Sequence, residues 1–157
     1  MRDHLNARFA SAGNIAVTTP EGVAALPGAS FDLIVMHSVA QYLSQAEADA
    51  LFAQFKKLLK PGGLFILGDV IPPQVSPIAD AAALLRFAAA NGFLIAAFLG
   101  LVRTTFSDYP KLRARLGLTL YDESAIRAKL EAAGFRVERA AKNIGHSRSR
   151  MTFLARA

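Results

Sequence analysis

Two apolar runs flanking one capped helix constrain this chain more than any other feature: "FDLIVM", Phe31 to Met36, and "LFILGDV", Leu64 to Val70. Neither run alternates apolar with polar residues. Both therefore read as strands buried on two faces, as in parallel sheets. Between them, Ser44-Gln-Ala-Glu47 has the form of a capping box: the serine accepts from the backbone at Glu47 and the glutamate reaches back. The helix it opens carries Ala48, Leu51, Phe52, Phe55, Leu58 and Leu59 on one face. Lys56, Lys57 and Lys60 fall in its last turn, where the helix dipole favours cations, and Pro61-Gly62-Gly63 is the expected stop. Strand, helix, strand in this order predicts a right-handed βαβ unit with parallel strands, and so an α/β fold.

The flanks extend this frame. Arg2 to Ala12 reads as a helix stopped by Gly13-Asn14, and "NIAV", Asn14 to Val17, as a short strand. After the prolines at 72, 73 and 77, Ile78 to Val102 carries only Asp80 and Arg86 as charges. The Asn91-Gly92 pair interrupts it, so a membrane span of about 20 apolar residues does not fit. Buried or cap helices are expected there. A helix lying on a membrane surface is the alternative, with Arg103, Lys111, Arg113 and Arg115 just beyond the apolar stretch. Asp122 caps a further helix with Ile126 and Leu130 inward and Gly134 at its end. "FRVERA" and "MTFLARA" alternate, and predict an antiparallel pair joined by "AKNIGHSRSR".

The 157 residues allow one domain, 1–157, with one core. Within it, residues 72–120 form an apolar cap-like insert. The absence of cysteine excludes a disulfide framework and a Cys-based zinc site. No metal-ligand spacing links His4, His37 and His146. "MRDHLNARFA" has no apolar signal core, and the expected compartment is the cytoplasm. The net charge is +6, yet the bases are scattered and no aromatic-rich basic motif appears, which argues against nucleic acid. The one dense cluster is "HSRSR", His146 to Arg150.

Taken in order, "FDLIVMHSVAQYLS", the capped helix, "LLKPGGLFILGDV", the apolar insert, "YDESAIRAKLEAAGF" and the closing hairpin resemble the second half of a class I S-adenosylmethionine-dependent methyltransferase. The resemblance implies a Rossmann-like sheet, mostly parallel, with a C-terminal antiparallel hairpin and helices on both faces. It implies S-adenosylmethionine as cofactor and methyl transfer to a small acceptor. It also exposes a departure: no Gly-rich loop follows a strand, and no acidic residue stands where the family holds the cofactor ribose. In the family's strand order, 3-2-1-4-5-7-6, "NIAV" would be strand 3 and "FDLIV" strand 4, with strands 2 and 1 missing between them. Three alternatives follow: a segment before Met1 is absent from the sequence, which is the favoured expectation, or "NIAV" pairs with "FDLIV", or another chain covers an open, association-prone edge. Cofactor binding is expected to be impaired in the chain as given.

Ligands in such sheets bind at the carboxyl ends of the strands. The resemblance therefore places His37, Ser38 and Val39 against the methionine and ribose of the cofactor, with Gln41 and Tyr42 nearby. It places Glu21, Gly22 and Val23 on the adenine side. Read as residues alone, Ser38 fits a helix or turn cap equally well, Tyr42 a core aromatic, and His37 a braced structural histidine. Should the acceptor need to lose a proton, His37, Asp69 and His146 are the titratable candidates for catalysis. Asp69 also fits an ordinary strand end, and His146 a solvated loop. The phenylalanines at 87, 93, 98 and 106 point either to packing of the cap or to an apolar acceptor, a lipid or an aromatic metabolite. The competing function is a non-catalytic remnant of the fold that binds a partner through its sheet edge or apolar insert, the membrane surface included.

Overall fold

The computed structural model describes residues 2–107 and 117–157. In chain order the elements are α1 (Arg2–Phe9), α2 (Pro20–Ala24), β1 (Phe31–His37), a 3-10 turn (Ala40–Tyr42), α3 (Gln45–Leu58), β2 (Leu59–Val70), α4 (Pro77–Ala90), α5 (Leu94–Thr105), α6 (Glu123–Ala132), β3 (Arg136–Arg139) and β4 (Met151–Arg156). The sheet order is β1-β2-β4-β3, with β1 parallel to β2 and the other two pairings antiparallel. This is the order 4-5-7-6 implied by the resemblance, and the α/β, Rossmann-like class holds.

The βαβ unit forms as the sequence dictates. Ser44 Oγ accepts from the Glu47 backbone N–H at 3.3 Å, and Glu47 accepts from the Ser44 N–H at 2.8 Å. α3 then lays Ala48, Phe52 and Leu58 into the core. Phe65 of β2 is the hub, with ring centroids 5.8 Å from Phe52, 5.1 Å from Phe55 and 5.8 Å from Phe135. Ile126 and Leu130 of α6 close the core beside them, and Gly134 ends that helix at φ +88°. Asn91 and Gly92 break α4 from α5, Gly92 at φ +78°.

Four expectations are corrected. "NIAV" forms no strand: Ile15 donates its N–H to the Ala12 carbonyl in a turn, and its side chain is 46% exposed. With no described strand beside it, its backbone has no ladder to join. β1 is not buried on both faces. Ile34 and Met36 turn to the core, while Leu33 and Val35 are 52% and 54% exposed, because β1 is an edge strand and no described element covers that face. Pro61-Gly62-Gly63 does not stop α3. The helix ends at Leu58, and Leu59 already pairs with Phe31 as the first residue of β2. Lys60 accordingly sits in that strand, paired with Asp32 at 2.9 Å. Finally, α1 is shorter than read and buries nothing.

The apolar stretch forms two helices packed on each other, with Phe87 and Phe93 edge to face at 5.9 Å. Ala88 and Ala97 are buried, whereas Ile95, Phe98 and Leu99 of α5 face outward. Among the described residues no helix is long and apolar enough to cross a membrane. Lys111, Arg113 and Arg115 lie outside the described residues.

Candidate functional site

β1 and β2 end side by side, and both turn sharply there. Their register sets His37 opposite Gly68. The residues that follow, Ser38 and Asp69, both take positive φ, at 56° and 66°. Left-handed backbone at a non-glycine residue costs on the order of 1–3 kcal/mol and persists where surrounding contacts over-determine it. Here those contacts are visible. Ser38 donates its N–H to the Gly68 carbonyl and its hydroxyl to Asp69 Oδ2 at 2.5 Å. The same hydroxyl lies 3.0 Å from His37 Nδ1. Asp69 donates its N–H to Asn143 Oδ1 at 3.2 Å and accepts from Asn143 Nδ2 at 3.1 Å.

Arg150 completes the arrangement. Its guanidinium pairs with Asp69 and with Asp80, the latter in the first turn of α4. One cation thus ties the end of β2, the start of α4 and the start of β4. Burial pushes the Asp69 carboxyl up, but hydrogen bonds from Ser38 and Asn143 and the Arg150 charge outweigh it and hold the group below the usual aspartate range. Ser147, wholly buried, adds its hydroxyl to Asp80 Oδ1 at 3.1 Å, and Thr152 donates to Asn143 Oδ1 at 2.7 Å.

Two glycines make the close approach of these segments feasible. A Cβ on Gly68 would lie 2.6 Å from Ile144 Cδ1 and 3.0 Å from His37 Cδ2. On Gly145 it would lie 2.8 Å from Asp69 Oδ1 and 3.3 Å from His37 Nε2. The hairpin loop therefore lies directly on the strand ends, and His37, Ser38, Asp69, Asn143 and Gly145 form one cluster. Gln41 braces the turn below it, donating from Nε2 to the Ser38 carbonyl at 2.9 Å. Its own Oε1 is buried with no partner among the described residues.

The sequence-predicted residues divide into three groups. His37, Ser38 and Asp69 come together, with Val39 and Tyr42 partly exposed on the turn that follows. Ser38 is no helix cap: Val39 precedes the 3-10 turn without a side-chain cap. Glu21, Gly22 and Val23 lie in the short helix α2, which Thr19 caps by accepting from the Gly22 N–H at 3.0 Å. His146 faces the other way. Its ring packs against Phe87 of α4, centroids 6.3 Å apart, beside a groove of about 710 Å³ between α4 and the hairpin loop. Asn143, Arg150, Asp80 and Gly145 were missed as site residues. The basic run "HSRSR" was the available signal, and its last arginine is the one that turns inward. Among the described residues no group of His, Asp or Glu is placed to hold a metal.

Comparison with known proteins agrees with this architecture. A family model described as a methyltransferase domain matches residues 1–67. Among curated proteins no match is found. Of solved structures, a protein of Bordetella parapertussis named as a possible exported protein is similar at 22% identity and TM-score 0.56, over 98% of this chain and 47% of its own. The pyocyanin biosynthetic protein PhzM is similar at 16% identity and TM-score 0.56, over 99% of this chain and 39% of its own. An S-adenosylmethionine-dependent methyltransferase from Archaeoglobus fulgidus is similar at 12% identity and TM-score 0.54, over 93% and 69%. The chain thus spans less than half the length of the first two. At these identities the likeness is one of fold.

Proposed function

We propose that this chain, which carries the class I S-adenosylmethionine-dependent methyltransferase fold, serves methyl transfer from S-adenosylmethionine to a small acceptor. The observation that carries the reading is the braced cluster at the paired carboxyl ends of β1 and β2, with the family-model match reaching into β2. Parallel sheets present their ligands at that level.

The residues present fit one side of the cofactor only. His37, Ser38, Val39 and Tyr42 offer a wall at the end of β1. The sequence supplies neither a Gly-rich loop after a strand nor an acid at the end of a strand before β1. Glu21, Gly22 and Val23, the candidates for the adenine side, belong to a self-capped helix with no described strand beside it. The chain alone is therefore expected to bind the cofactor weakly.

What the chain's own residues do is positional. Methyl transfer asks a protein chiefly to align the reacting atoms and keep water away. Asp69, ionised and saturated with donors, positions Ser38 and the hairpin loop rather than taking a proton. His37, exposed beside Gly145, and His146, on the groove side of the same loop, are the groups left to accept a proton from an acceptor hydroxyl or amine. The described parts of residues 72–120 are read as an apolar cap within a single domain, and the exposed phenylalanines at 87, 93, 98 and 106 favour an apolar or aromatic acceptor.

The test is direct. Calorimetry on the 157 residues is expected to show no micromolar binding of S-adenosylmethionine. At millimolar cofactor, amide shifts should concentrate at His37–Tyr42 and Asn143–His146. Shifts confined to other regions, or none, would sink the reading. A second reading, a non-catalytic binding module, rests on the exposure of Leu33 and Val35 on the open β1 edge. It predicts no response of the strand-end cluster to the cofactor at any concentration.

A further inference from the structure

The cluster "HSRSR" is split by the fold. Arg150 goes inward and is consumed by Asp69 and Asp80. His146 and Arg148 go outward and, with Arg86, Phe87 and a row of alanines of α4, line the groove of about 710 Å³. We propose that this groove binds an aromatic carboxylate, its anionic end on Arg86 and Arg148 and its ring against Phe87 and His146. Naming that ligand the methyl acceptor rests on the methyl-transfer reading; the binding does not.

Charge is the first argument. Arg86, Arg148 and His146 line the groove and no acid does. Among the described residues neither Arg86 nor Arg148 has an ion-pair partner, and the two stand at one concavity. The nearest acid in sequence on α4, Asp80, is already neutralised by Arg150. Unopposed arginines gathered at one concavity leave a positive field that an anion can relieve. The guanidinium fork matches a planar carboxylate through paired hydrogen bonds.

Shape is the second. The alanines stand at helical spacing along one side of α4, so their small side chains open the groove instead of filling it. Phe87 is 45% exposed at its wall, and the His146 ring stands 6.3 Å from it at 45°. Two rings at that spacing offer faces and edges for a flat ligand. The volume falls within the range of small-molecule pockets, about 300–1,000 Å³. Position is the third. His146 follows Gly145, which lies against Asp69 and His37, so the hairpin loop is a shared wall between the groove and the strand-end cluster.

Fluorescence titration of the 157-residue chain with 3-hydroxy-2-naphthoate tests the proposal, with 2-naphthol as the uncharged counterpart. The naphthoate is expected to bind. Arg86→Gln and Arg148→Gln should each weaken it about tenfold, a loss of one charged pairing, without changing the response to 2-naphthol. Ala83→Trp, which fills the groove while keeping both arginines, should abolish binding, and unchanged melts of all three variants confirm the fold. Equal affinity for naphthoate and naphthol, or indifference to the substitutions, would overturn it. Because the titration contains no S-adenosylmethionine, its outcome is independent of whether the chain transfers methyl groups.

Discussion

Arg150 shows how one residue can hold three segments in place. Its guanidinium lies between two carboxylates that are themselves nearly buried, the Asp69 and Asp80 side chains being 4% and 16% exposed. Removing one partner from a buried pair strands the other charge, which costs about 3–5 kcal/mol. Arg150→Met should therefore destabilise the chain by roughly that amount in urea unfolding. Replacing all three groups with Met, Asn and Asn should cost less than Arg150→Met alone, since no charge is then left unpaired. The same network sets an acid limit. The Asp69 carboxyl is depressed in the folded state, so its contribution to stability is present above the unfolded aspartate value of about 3.9 and is lost as pH falls through the lower folded value. A melting series below pH 4 should fall more steeply for the parent chain than for Asp69→Asn. Parallel profiles would show that the carboxylate is not held by its partners in solution.

The helices and strands differ in how much of their cause is local. Ser44 and Glu47 satisfy each other within one turn, so α3 was legible from four letters. Its start is correspondingly testable: Ser44→Ala should cost about 1 kcal/mol by urea unfolding, and no change would mean that core packing alone sets the boundary. Gly134 and the Asn91-Gly92 break were legible for the same reason, since positive φ is a local demand that glycine meets. What the sequence concealed depends on neighbours. "NIAV" has strand-like letters, yet a strand needs a ladder, and no described strand stands beside it. Leu59 and Lys60 read as the last turn of α3 and Pro61-Gly62-Gly63 as its stop, but Phe31 lies alongside to pair with Leu59, and β2 begins there. At the strand ends, His37, Ser38 and Asp69 could be picked out as candidates because they directly follow two apolar strand runs, at the end of a parallel pair where such sheets present ligands, and the structure brings the three together. Asn143, Gly145 and Arg150 could not, because their partners are some 70 to 80 positions away and no periodicity reports such a pairing.

For the molecule as a whole, the open question is what it does with its uncovered apolar surface. β1 pairs with β2 on one side, and among the described residues no strand pairs with its other backbone edge. Phe31, Leu33 and Val35 stand exposed along the same strand. Natural edge strands are blunted by charges, prolines or bulges, and here the one charge within the run, Asp32, is occupied by Lys60. α5 adds a second apolar face, with Ile95 77% and Leu99 59% exposed. Both favour self-association, but they do so through different physics. An edge strand recruits a partner by backbone hydrogen bonds and is sensitive to any charge that must enter the shared sheet. A helix face recruits by area alone. The chain is therefore expected to self-associate with rising concentration in light scattering. Leu33→Lys with Val35→Lys should restore the monomer if β1 carries the contact, because two like charges would face their copies across the new pairing. Ile95→Glu with Leu99→Glu should do so if α5 carries it. We expect the β1 pair to be the effective one, since an unpaired strand edge offers hydrogen bonds as well as apolar area, whereas the exposed stripe of α5 offers area only. Dissociation by the α5 pair alone would reverse that assignment, and a monomer at every concentration would refute self-association by either face.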